Sequence, residues 1–459
     1  MSRCCGILRE EIMMADRSTE PDPTRLEGWG RHPAVEAPER VSEDLERSTD
    51  GASLARGMGR SYGDASLPLP GGVAVGTRLG DRVLAFDEST GVLHAEAGLT
   101  LHALTWLFLP RGWSSPTLPG TAYITLGGMV AADVHGKEHH VRGTFGRHVE
   151  RLKIRLADGR VVWTGRDDDA DLFCATLGGM GLTGHILEVV VRLHRVPSPW
   201  VVQETERHPN LASFVDGLAQ AAESWEFTMG WIDCLKRGPS MGRGILFRGR
   251  WADPERGDAL PTAPPTKKIR LSVPVDVPSF LLNKLSVAIF NETLYRKHGE
   301  ATTYGIVHPE EFFHPLDKIL HWNRGYGGPG FTQYQCVVPT RDGARRVLEE
   351  LTRRGAASFL CVLKDCGDEG EGLLSFPRPG TSIAVDLPVR RDTADIVAQL
   401  NRQVIAEGGR IYLAKDTFTT AVDFRAMERE RLERFLAVRR RVDPDGRLSS
   451  VLSRRLFGD

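Results

Sequence analysis

The segment Gly178–Gly184, GGMGLTG, carries the spacing G-x-G-x-x-G at Gly179, Gly181 and Gly184. That spacing holds a dinucleotide when a strand precedes the glycines and a helix follows, because the pyrophosphate then rests on the helix N-terminus. Here the order is reversed. Upstream lies DDDADLFCATL, residues 167–177, acidic at its start and apolar at helical spacing, which predicts a helix. Downstream lies HILEVVVRLHRV, residues 185–196, β-branched and free of breakers, which predicts a strand. A helix–glycine loop–strand unit is not a Rossmann turn. The glycines form either a plain turn or a place where backbone approaches a ligand in some other way.

Two more glycine-rich segments lie upstream: ARGMGRSYGDAS, residues 55–66, and PTLPGTAYITLGGMVAADVHGK, residues 116–137. Successive amides in such turns make nests for anionic oxygen. Three of them within about 130 residues suit a diphosphate with a ring system at each end. Between them, VERLKIRLADGRVVWTG (149–165) reads as a hairpin turning at Asp158-Gly159. Beyond residue 198 the style changes to longer strands, FTMGWIDCLK and GFTQYQCVVP, followed by the helices DGARRVLEELTRRG and DTADIVAQLNRQVIAEGG. That pattern predicts an antiparallel sheet with helices on one face. We therefore expect an α+β protein with a disordered leader over 1–26, a ligand domain over 27–197, a second domain over 198–411, and a segment, 412–459, that returns to the first. VPSFLLNKLSVAIFNETLYRK (277–297) reads first as a buried helix and second as a surface that touches lipid.

Composition narrows the function. Lys plus Arg number 59 against 60 Asp plus Glu, so the basic excess of a nucleic-acid binder is absent and no such partner is expected. The seven cysteines are scattered without a C-x-x-C pair, which argues against a disulfide framework or zinc site. His135, His139 and His140 in HGKEHH lack metal-ligand order, so no metal is expected. There is no run of 18 apolar residues and no signal-peptide core, hence neither a transmembrane helix nor a signal peptide is expected.

Taken together, RGMGRSYGD, LPGTAYITLGG, DVHGK and GGMGLTG resemble the flavin domain of the vanillyl-alcohol oxidase / p-cresol methylhydroxylase superfamily. Downstream, YRKHG, FFHPLD, WNRGYGGPGFTQYQ, FLCVLK, LSFPRPG, AVDLP, YLAKD and VRRRVDP are similar to the decaprenylphosphoryl-β-D-ribose 2′-oxidase family within it. The resemblance implies a two-subdomain FAD-binding domain of the p-cresol methylhydroxylase type plus a substrate domain. It implies that Gly57, Gly59, Arg60, Ser61 and Tyr62 hold the pyrophosphate. Gly120, Thr121, Thr125, Gly128, Ala131 and His135 would run along the flavin, with Gly181, Gly184 and Ile186 at a third turn. Tyr412, Ala414 and Lys415 would close on the isoalloxazine, with Lys415 catalytic. Trp231, Gln333, Gln335, Lys364 and Asp386 would line the substrate pocket.

The implied reaction is FAD-dependent oxidation of the 2′-hydroxyl of a lipid-linked ribose, the first half of an epimerisation towards arabinan. An NAD(P)H-dependent keto-reductase, a quinone or other electron acceptor, and peripheral membrane contact complete the implied setting. GMGRSYG has no histidine to bond the flavin, so noncovalent FAD is expected. Phe313, Thr381, Ser382 and Ala384 depart from the family pattern near the expected pocket. That leaves an oxidase of a soluble sugar, polyol or natural-product intermediate, or a noncatalytic flavin- or lipid-binding protein, as alternatives.

Overall fold

The computed structural model describes residues 21–262, 271–299, 301–354 and 358–458. The first domain has two parts. A small parallel sheet pairs Glu39–Val41 and Leu54–Arg56 to either side of Ala74–Gly76. A five-stranded antiparallel sheet runs in the order Val161–Gly165, Val149–Arg155, His185–Arg192, Val92–Glu96, Val83–Asp87. The helices Leu101–Phe108, Leu126–Ala131 and Ala170–Thr176 accompany it. The reversed reading of the glycine loop holds: the helix Ala170–Thr176 precedes it, capped by Asp169, and the strand His185–Arg192 follows. Gly178 and Gly181 lie at φ 75° and 79°, where a Cβ is disfavoured.

The second domain is an eight-stranded antiparallel sheet in the order Thr303–Val307, Val201–His208, Gly244–Trp251, Phe227–Ile232, Cys361–Cys366, Gly380–Pro388, Phe331–Val338, Arg410–Ile411. Alternation along each strand assigns its faces. Tyr334 donates its hydroxyl to Asn401 Oδ1 in the helix Thr393–Ala406, and Gly230 packs on Phe214 of the helix Leu211–Ser224. That face, with Cys336, Ile383, Val385 and Leu363, is the helix-covered side.

Two expectations need correction. Residues 1–20 of the expected leader lie outside the described residues, but its last residues, 24–26, belong to the strand Thr24–Glu27, paired with Ala34–Ala37. The stretch 277–297 does hold a helix, Lys284–Lys297, yet it is not buried. Only the stripe Val287, Asn291, Tyr295 faces inward. Leu285 is 70% exposed and Ile289 60%, because Asn291, bonded to Asp233, takes the inward position that an apolar periodicity would assign elsewhere. The C-terminal segment does return to the first domain. Val451 N–H donates to Leu67 O (2.9 Å), and Arg441 pairs with Asp169.

Candidate active site

The first glycine loop leaves the strand Leu54–Arg56 and runs to Asp64. Tyr62 N–H donates to Ala414 O (2.8 Å). Among the described residues the amides of Met58, Gly59, Arg60 and Ser61 have no protein acceptor, a run of donors suited to a diphosphate. The second segment packs directly against it: a Cβ at Gly57 would stand 2.5 Å from Thr125 Oγ1. Thr125 caps the helix Leu126–Ala131 through Gly128 N–H. The third loop docks on the second, with Gly178 N–H donating to Val130 O and Met180 N–H to Ala131 O. At Gly120 a Cβ would meet no atom within 4 Å, and at Gly181 only one at 4.0 Å. The cradle and its free amides fit FAD. Ile186 pairs with Ile154 and is 5% exposed, so its side chain belongs to the core of the five-stranded sheet.

The C-terminal segment closes over these loops. Lys415 Nζ stands 3.5 Å from the centroid of the Tyr62 ring. Tyr412 Oη donates to Ala132 O (3.1 Å), and its ring lies 5.0 Å from that of His135. Asp416 pairs with Arg455 rather than with Lys415.

The open face of the eight-stranded sheet supplies the rest. Gln333 lies opposite Asp386, and Gln335 opposite Ala384. Ala384 lies opposite Val362, Ser382 opposite Lys364, and Val362 opposite Trp231. Paired residues share a face, so all five expected substrate residues project to one side. Gln333 Nε2 donates to Asp386 Oδ1 (2.6 Å) and Tyr326 Oη to Asp386 Oδ2 (2.8 Å). Gln335 Nε2 donates to His135 Nε2 (3.0 Å), tying the sheet to the second glycine segment. Trp231 sits farther along this face. Its indole N–H donates to Phe359 O, and it packs with Ile245 and Tyr295.

Three lysines converge electrostatically. Burial lowers Lys415 to about 7, with Asp386 opposing and Lys364 reinforcing the shift. Burial, then Lys364, lowers Lys137 to about 7. Lys364 is lowered chiefly by burial. Asp386 is raised by burial to about 6, against the hydrogen bonds from Gln333 and Tyr326. His135 is held well below its ordinary value by burial and then by Lys364, so the ring is neutral. Lys137 Nζ donates to Phe313 O (2.7 Å), whereas among the described residues the Nζ groups of Lys364 and Lys415 have no hydrogen-bond acceptor. Lys137, Tyr326 and Asp64 were not anticipated from sequence, although Lys137 ends the quoted DVHGK.

Comparison with known proteins identifies the cofactor domain and the family. Residues 46–165 match a family model described as an FAD binding domain. Over 464 residues, the decaprenylphosphoryl-β-D-ribose oxidase of Mycolicibacterium smegmatis is 35% identical, covering 96% of this chain and 99% of that protein. The chain belongs to the decaprenylphosphoryl-β-D-ribose oxidase family. Two further proteins are similar over part of the chain. A protein of Streptomyces coelicolor, described as an uncharacterized protein in the mprA 5′ region, is 31% identical over 78% of this chain and all of its own length. A putative D-arabinono-1,4-lactone oxidase of Neurospora crassa is 31% identical over 24% of this chain and 20% of its own. As in its family, the flavin part of this oxidase-like chain is the FAD-binding domain. Its second domain presents the polar face described above.

Proposed function

We propose that the protein oxidises the 2′-hydroxyl of a polyprenylphosphoryl-β-D-ribose to the 2-keto sugar. The observation that carries the reading is the position of Lys415, set over Tyr62 and within the field of Asp386, on a segment bonded to the cofactor loop. The glycine loop at Gly57–Asp64 and the segment around Thr125 would hold FAD, which when bound would supply the acceptor for the hydride from the ribose carbon. The chain's own residues handle the proton and the geometry. Lys415, near neutrality at about 7, is matched to take the hydroxyl proton, and Asp386 keeps the ammonium so formed in place. Lys364 and Lys137 present positive charge to one space, which suits the phosphate between sugar and lipid. His135, neutral, aligns Gln335. The loop GMGRSYG has no histidine to bond a flavin, so the FAD is noncovalent and acid precipitation should release it.

The lipid end has its own support. Phe280 (75% exposed), Leu285, Ile289 and Phe290 form an exposed apolar surface. It continues inward, since the Phe290 ring meets Phe359, which meets Tyr326, the donor to Asp386. A prenyl chain following that track would leave its headgroup at the lysines and its tail at a membrane surface. No helix among the described residues is long and apolar enough to cross a membrane. A NAD(P)H-dependent reductase acting on the 2-keto product would complete epimerisation to the arabinose donor for cell-wall arabinan. A quinone or another acceptor would restore the oxidised cofactor.

The decisive test is anaerobic bleaching of the purified yellow protein. Polyprenylphosphoribose should bleach it, and free ribose or polyols should not. Bleaching by free sugars would instead identify an oxidase of soluble substrates, and bleaching by neither a binding protein.

A further inference from the structure

One side chain joins the end of the chain to both halves of the cofactor cleft. Arg455, in the helix Val451–Phe457, donates from Nε and Nη2 to the two oxygens of Asp64 (2.8 and 2.9 Å). From Nη1 it donates to Asp416 Oδ2 (2.8 Å) and to Thr419 O (2.5 Å). Asp64 is 1% exposed and Asp416 7%. Asp64 ends the first glycine loop, and Asp416 follows Lys415 directly.

The same two stretches press together beside this contact. A Cβ at Gly63 would lie 1.9 Å from the Asp416 carbonyl oxygen, so only glycine permits the approach. Thr332 on the sheet holds the segment from the other side, its Oγ1 donating to Lys415 O (3.3 Å). A guanidinium is a rigid planar fork that binds one carboxylate through two parallel N–H groups while a third N–H reaches the other, a fixed geometry that a freely rotating ammonium lacks. Remove it, and two buried carboxylates face each other without a counter-charge. Asp416 already raises the proton affinity of Asp64, behind burial, which dominates, and against Arg455, which opposes it.

We infer that Arg455 is a positioning residue that fixes the register between the glycine loop at Asp64 and the segment bearing Lys415. FAD binding at the loop and placement of the Lys415 ammonium are thereby coupled. The inference rests on the reading of Lys415 as the lysine beside the flavin.

A four-protein cycle on the FAD-loaded full chain tests it: wild type, Arg455→Met, Lys415→Met and the double variant. Two substrate-free readouts are followed, the FAD dissociation constant by fluorescence and the flavin midpoint potential by dye equilibration at saturating FAD. Arg455→Met should weaken FAD about tenfold, a typical coupling between sites. Lys415→Met should lower the potential in the wild-type background and lower it by less than half as much beside Arg455→Met. Arg455→Lys, which keeps the charge but loses the fork, should fall between and provides the same readouts if the methionine variant does not fold. An equal Lys415→Met shift in both backgrounds, with FAD affinity unchanged, overturns the inference and leaves Arg455 a helix anchor. A Lys415→Met protein with wild-type potential overturns the placement of Lys415 itself, and the inference with it.

Discussion

The same strands build both faces of the eight-stranded sheet, yet alternate residues serve different ends. Tyr334, Ile383, Val385 and Leu363 meet helices. Gln333, Gln335, Ser382, Asp386 and Lys364 meet the cleft. Each strand therefore interleaves residues selected for close packing with residues selected for charge. A one-residue slip would exchange the two sets, so the helix-covered core fixes the register that the chemistry requires. The face that stabilises the sheet and the face that acts should then respond to substitution in opposite ways.

The largest expected effect falls on chemistry. Lys415→Met should lower the anaerobic flavin-reduction rate by about 10²- to 10⁴-fold, the usual contribution of a positioned proton acceptor, while the protein stays yellow. Stopped-flow absorbance checks this. Next, Leu363→Ala on the helix-covered face should cost about 2–5 kcal/mol of stability in urea unfolding and leave the rate per folded enzyme unchanged. Its neighbour Lys364→Met should do the reverse, raising KM for the phosphorylated substrate about tenfold with no loss of stability. A KM change without a melting change in Leu363→Ala would break the comparison.

The depressed Lys415 value has a thermodynamic sign. Its folded pKa of about 7 lies below the ordinary 10.5, so the unfolded chain binds the extra proton between those limits and stability rises with pH across that window. Lys415→Met should therefore stabilise the flavin-free protein most below pH 7, by about 2 kcal/mol after allowing for partial solvent screening, and progressively less towards pH 10. Melting temperatures of the two proteins across pH 6–10 measure this. The smallest effect on stability, within about 0.5 kcal/mol, is expected for the pair Leu285→Glu and Ile289→Glu, because both side chains are already exposed. The same pair should abolish co-sedimentation with anionic vesicles if that surface meets lipid.

Much of the fold was legible because it is local. The hairpin at Asp158-Gly159, the helix–loop–strand around Gly178–Gly184 and the paired direction of Gln333 and Gln335 all follow from periodicity and turn chemistry. What periodicity misses is long-range or inverted. The Tyr62–Ala414 hydrogen bond joins residues far apart in the chain, so nothing in either segment announces the other except resemblance. Nothing near Arg455 in the chain announces its role, because its two carboxylates come from distant segments. The helix Lys284–Lys297 inverted the usual rule: Asn291 is inside and Ile289 outside, held so by the contact between Asn291 and Asp233. Trp231 shares the face of Gln333 and Lys364, but facing alone does not tell how far along it the indole lies.

The dependence of the cleft on its last segment also sets an order of events in synthesis. The glycine loop at Gly57–Asp64 emerges early from the ribosome, while Lys415 and Arg455 emerge among the final residues. A nascent chain can thus fold its first sheet and meet dinucleotide before it owns the group that would use it. A stop codon just after the great sheet would remove Lys415 and Arg455 together with the buried Phe424, Leu432 and Phe435, the last of which packs beside Gly179, so packing and chemistry would be lost together.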